Sequence, residues 1–90
     1  MKKIIIKVTG LVQGVFFRYT TRKVARKLGL KGYVKNMPDG TVYIEAEGEE
    51  NDLKQLLQFA NTGPPHAKVE NVEYEIRDAD NKYKGFEYAY

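Results

Sequence analysis

Ninety residues, 42% hydrophobic and 30% charged, describe one small globular domain and exclude a disordered chain or an apolar membrane span. The absence of cysteine rules out disulfides and thiol chemistry, and with a single histidine it argues against a structural zinc site. Net charge is +3, spread unevenly: Met1 to Lys35 holds ten basic residues and no acid, Asn36 to Tyr90 five basic and twelve acidic, so either the first half meets an anionic partner or the two halves interleave and offset each other.

In chain order, Ile4, Ile6 and Val8 alternate with Ile5, Lys7 and Thr9, which predicts a first strand. The run MKKIIIKVTG stops at Lys7, far short of a signal-peptide core, so the chain reads as a soluble cytoplasmic domain without an export marker. Gly10 and Gly14 bracket a short loop. Phe17, Thr21, Val24, Ala25 and Leu28 then recur at helical spacing, with Gly29 as the C-terminal cap. A second strand is predicted from Lys31 to Asn36, and Pro38-Asp39-Gly40 carries turn chemistry. Val42, Ile44 and Ala46 mark a third strand. A second helix starts near Glu49 to Asn51, with Leu53, Leu56, Leu57 and Ala60 on one face, and stops at Gly63-Pro64-Pro65. Val72, Tyr74 and Ile76 alternate in a fourth strand; Phe86, Tyr88 and Tyr90 alternate in a short last one.

The order βαββαβ plus a C-terminal strand is that of an α+β, ferredoxin-like split βαβ sandwich, with an antiparallel sheet and two helices on one face. The other face is expected to be open to solvent, which would account for Lys7, Lys35, Glu45 and Glu47. This fold hosts many functions, so function has to come from a site.

The strand-loop-helix junction Gly10-Leu11-Val12-Gln13-Gly14-Val15-Phe16-Phe17-Arg18 is one candidate. Backbone N–H groups at a helix start lack intrahelical partners and suit an anion, Gly14 permits a tight turn, and a guanidinium forks onto phosphate oxygens. The plainer reading is a turn beside a solvated charge. Asn36, at the end of the second strand, could approach that loop and position a water, or could simply open the Pro-Asp-Gly turn.

Taken together, VQGVFFR (Val12 to Arg18), GYVKNMPDG (Gly32 to Gly40) and GPPHAKV (Gly63 to Val69) resemble the acylphosphatases, in order and spacing over nearly the whole chain. The resemblance implies a single acylphosphatase-like domain over residues 1–90. It implies hydrolysis of a carboxyl–phosphate anhydride, with a small-molecule acyl phosphate as substrate and inorganic phosphate as product, and no cofactor or metal. By the same resemblance the backbone of Gly14, Val15, Phe16, Phe17 and Arg18 cradles the phosphoryl group, Arg18 binds its oxygens, and Asn36 orients the attacking water. A monomer is expected, with no membrane or nucleic-acid partner.

Other residues carry weaker signals. His66 reads as a surface loop residue rather than an acid–base group, and Asp39 as a turn residue. Glu45, Glu47, Glu49, Glu50 and Asp52 are split by strand alternation and a helix start, which suits a solvated face better than a metal. The rival class is RNA binding through Tyr33 and Tyr43 on the open sheet face, although the usual aromatic signature of RNA-recognition modules is missing. A third possibility is a catalytically inactive phosphate-binding relative, or a module of the kind found in larger carbamoyl-transfer maturation proteins; a chain complete in itself favours a free enzyme.

Overall fold

In the computed structural model, which describes all of residues 1–90, the chain forms β1 (Lys2–Leu11), α1 (Phe17–Lys27), β2 (Lys31–Asn36), β3 (Val42–Gly48), α2 (Glu50–Thr62), β4 (Lys68–Asp78) and β5 (Phe86–Tyr88). The strands make one sheet in the order β4-β1-β3-β2-β5. β1 pairs antiparallel with β3 and β4, and β2 antiparallel with β3. Each crossover, β1-α1-β2 and β3-α2-β4, skips one strand, which puts both helices on the same face.

The register explains the core. Ile4, Ile6 and Val8 stand opposite Ala46, Ile44 and Val42, and Val34 stands opposite Ile44, so one sheet face is apolar across three strands. Phe17, Thr21 and Ala25 of α1 and Leu53, Leu56 and Ala60 of α2 cover it. Phe17 meets Phe59 across the helix pair, with ring centroids 5.7 Å apart. Fully burying a side chain of this size contributes about 1.5–3 kcal/mol. It also fixes where α1 begins.

The sheet is mixed rather than wholly antiparallel, because β5 runs parallel to β2. β4 and β5 lie on opposite edges, so the segment between them crosses the sheet and reverses direction relative to β4. That crossing also corrects the expectation of a solvated far face. Glu45 and Glu47 are buried, at 8% and 3% exposure. Glu47 accepts hydrogen bonds from the backbone N–H groups of Asp80 (2.7 Å) and Asn81 (3.1 Å) in the crossing segment. Glu45 accepts from the hydroxyls of Tyr33, Tyr43 and Tyr83, with Lys3 3.5 Å away. A later loop thus supplies the partners that let two carboxylates be buried. Lys7 stays exposed and Lys35 half-buried.

The two oppositely charged halves do interleave. Lys2–Asp78, Lys3–Asp80, Lys7–Asp39, Arg22–Glu87 and Arg26–Glu87 each join a base of the first half to an acid of the second. β5 is tied to α1 this way, because Arg26 also donates to the Phe86 carbonyl at 3.0 Å.

Candidate active site

β1 ends in an irregular pairing with β4, with a register shift between Thr9 and Gly10. Gly10 has φ 130°, and a side chain there would meet the Lys68 carbonyl oxygen at 2.2 Å. Released from the sheet, the chain turns through Gly14 (φ 76°) and Phe16 (φ 65°, ψ 22°) into α1. Gly14 and Phe16, two positions apart, both have positive φ, and left-handed residues set among right-handed ones are the backbone pattern that forms anion-binding nests of N–H groups. Phe16 is bulky and not glycine, so its conformation costs about 1–2 kcal/mol. Strain of this kind persists where the surroundings enforce it, and here buried Phe17 is the neighbouring anchor.

The donors of this loop are free. None of the backbone N–H groups from Gly14 to Tyr19 donates to another backbone group, and α1 has neither a side-chain cap nor an acid in its first turn. α2, by contrast, carries Glu50 and Asp52 in its first turn and so complements its own dipole. The start of α1 is therefore the helix N-terminus left open to an outside anion.

Arg18 stands one residue inside α1. Of the four arginines, Arg22, Arg26 and Arg77 are paired with carboxylates, and Arg18 has no such partner. It is half-buried and lines a cavity of about 350 Å³ with Val12, Gly14, Phe16, Phe17, Tyr19, Asn36, Tyr88 and Tyr90. This volume is ample for a small phosphorylated ligand.

Asn36 reaches the cavity from the end of β2. The approach is set by Gln13, whose amide donates to the carbonyls of Met37 and Thr41, both at 2.9 Å, and so laces the loop to the β2–β3 turn. Asp39 accepts from the Thr41 N–H and hydroxyl at 3.0 and 2.6 Å, which closes the turn itself. The Asn36 Oδ1 atom is buried and accepts no hydrogen bond from the protein. Leaving such an acceptor unpaired costs about 1–3 kcal/mol, and a bound donor would relieve it.

The cleft thus brings together Gly14, Phe16, Phe17, Arg18 and Asn36. Val15 does not line it; its side chain packs against the core. His66 is exposed in the turn between α2 and β4 and does not line the cleft. No three His, Asp or Glu side chains gather into a metal-holding group. Tyr33 and Tyr43 are not an open stacking platform: their rings lie 6.0 Å apart, Tyr83 abuts Tyr33 edge-on at 5.9 Å, and all three hydroxyls are engaged by Glu45. Sequence reasoning placed Gln13 in the junction without giving it a role, and missed Tyr19, Tyr88 and Tyr90. The one available signal was the aromatic alternation at the end of the chain, which did not say what it would face.

Known proteins are similar to this chain in sequence and fold. A family model described as acylphosphatase covers residues 4–88. An acylphosphatase of Archaeoglobus fulgidus is 56% identical over 85 residues, 94% of each chain. The crystal structure of an acylphosphatase from Bacillus subtilis superposes with a TM-score of 0.96 at 38% identity, covering 100% of both chains. A structure of full-length HypF in a phosphate- and nucleotide-bound form matches 98% of this chain, TM-score 0.88 and 32% identity, but only 12% of its own length.

Proposed function

The chain belongs to the acylphosphatase family, and on that premise we propose how its cleft hydrolyses the carboxyl–phosphate bond of an acyl phosphate. The phosphoryl group sits against the N–H groups from Gly14 to Arg18, and the Arg18 guanidinium forks onto its equatorial oxygens. Both bear on the charge that spreads over those oxygens as the bond to the leaving group loosens. Asn36 accepts a hydrogen bond from the attacking water through Oδ1 and holds it in line with the breaking bond. The water oxygen bonds to phosphorus, the phosphorus–oxygen bond to the acyl group breaks, and the acyl group leaves as a carboxylate. A carboxylate has a pKa near 4 and needs no acid to help it depart. No side-chain carboxylate or imidazole lines the cleft, and the water's proton passes to a phosphoryl oxygen of the substrate.

One observation carries this reading. Arg18, the single arginine without an internal anion, stands at the one helix start whose first turn holds no acid and shares a cleft with the unpartnered Asn36 Oδ1. The whole of residues 1–90 forms the catalytic domain, acting as a single cytoplasmic copy. A sedimentation mass near 10.3 kDa supports the single copy, and twice that mass contradicts it.

The test is release of phosphate from benzoyl phosphate by the parent and by Arg18→Ala. A charged transition-state donor of this kind contributes about 10²–10³-fold or more. Folding should be nearly untouched, since no internal ion pair is lost. Comparable turnover by a folded Arg18→Ala protein would refute the assignment.

A further inference from the structure

The cleft is larger than a phosphoryl group requires, and apart from Val12 the remainder of its lining is aromatic. Phe16, Tyr19, Tyr88 and Tyr90 surround it. Phe16, Tyr19 and Tyr90 are 73%, 54% and 98% exposed, half of the six large hydrophobic residues that the protein leaves open to solvent. Scattered singly such residues need no explanation, but three converging on one cleft mark a binding surface. Tyr88 is a different kind of wall. It packs against the core, and the Arg22 guanidinium lies 4.3 Å from its ring centroid. Arg22 and Arg26 are both engaged by the adjacent Glu87, so β5 presents Tyr88 in a fixed position.

The polar side chains of the cleft are few. Arg18 carries its one charge and Asn36 its one side-chain amide. Hydrolysis occupies both, on the phosphoryl group and the water. For the rest of the substrate there remain aromatic faces and tyrosine hydroxyls. No second charged side chain lines the cleft to recognise a charged acyl group.

We infer that this aromatic rim is the acyl-group subsite, and that it selects acyl phosphates bearing an aromatic or bulky apolar acyl group over those bearing a small or charged one. The inference rests on the acyl phosphate hydrolysis set out above. A substrate ring packed against a tyrosine gains roughly 2- to 10-fold in binding per aromatic contact beyond its area burial. An acetyl group has no ring to offer.

The experiment compares kcat/KM for benzoyl phosphate and acetyl phosphate in the parent, in a Tyr19→Ala/Tyr90→Ala double variant, and in Tyr88→Leu. The intrinsic reactivity of each substrate is the same in every variant, so the change in the ratio isolates the subsite. The double variant is the primary test, because both side chains are exposed and its fold does not depend on them. The benzoyl-to-acetyl ratio should fall roughly 10-fold in the double variant, and inhibition by benzoate should weaken while that by acetate stays constant. A folded Tyr88→Leu protein should lose the ratio in the same direction. A ratio unchanged in the double variant overturns the subsite while leaving the hydrolytic reading intact. Hydrolysis of neither substrate by the parent overturns the hydrolytic reading, and the subsite with it.

Discussion

Replacing Glu45 with alanine removes the shared acceptor of Tyr83 (2.7 Å), Tyr33 (2.9 Å) and Tyr43 (3.0 Å) in one step. A hydrogen bond to a charged group contributes about 1.5–3 kcal/mol net. The three tyrosines are only half-buried, so water would satisfy part of what is lost. Lys3 keeps Asp80 at 2.5 Å, so no lone buried ammonium remains. About 3 kcal/mol is therefore the expected loss, which lowers Tm by about 12–24 °C in a domain of this size. Glu45→Gln keeps one acceptor and should lose about half as much.

The pH dependence has a definite sign. Burial raises the Glu45 pKa, but the hydrogen bonds from Tyr83, Tyr33 and Tyr43 and the charge of Lys3 outweigh it and hold the carboxyl below its ordinary value. A carboxyl lowered on folding contributes fully above its unfolded value near 4.5, and that contribution disappears as pH falls through the lowered folded value. The stability curves of parent and Glu45→Gln should therefore converge in acid. Burial, reinforced by Glu45, raises the Tyr33 and Tyr83 hydroxyls above 10.0, so the parent also loses stability as pH climbs past that value. Urea unfolding followed by circular dichroism across pH measures all of this. A Glu45→Ala protein within about 0.5 kcal/mol of the parent would refute the view that this cluster secures the crossing segment.

Asn36→Ala should lower kcat for benzoyl phosphate by about 10²-fold or more while changing inhibition by inorganic phosphate far less, because a group that holds the water acts mainly in the transition state; equal losses in both would make Asn36 a phosphate ligand instead. Gly10→Ala should destabilise by about 3 kcal/mol or more, since its new methyl meets backbone of β4 at 2.2 Å. Gly14→Ala should lose only about 1 kcal/mol of stability, because nothing lies within 4 Å of its new methyl and left-handed backbone strain is the whole penalty. Denaturant titration of the two variants side by side checks the contrast.

The sequence carried the fold further than it carried the surfaces. β2 spans Lys31 to Asn36 as predicted, because Gly29 and the Pro38-Asp39-Gly40 turn bracket it with local backbone chemistry. The apolar periods of α1 and α2 are equally local. What escaped was set by distant pairings. Alternation placed Glu45 on the face away from the helices, but it could not say that Tyr83, 38 residues later, would cover it. The parallel direction of β5 depends on where the crossing segment lands. The same holds for the cleft: Gly14, Arg18 and Asn36 were legible as anion and water groups, whereas Tyr88 joins them only because β5 docks beside β2. Val15 was named for its backbone N–H group, and its side chain packs against the core.

Hydrolysis of benzoyl phosphate in water enriched in ¹⁸O tests the central claim most directly, because it reports which atom the water attacks. A cleft that grips the phosphoryl group and aims a water from Asn36 places the label in inorganic phosphate and leaves benzoate unlabelled. Label in the benzoate carboxyl group would mean attack at the acyl carbon, and would contradict the roles given to the loop, Arg18 and Asn36.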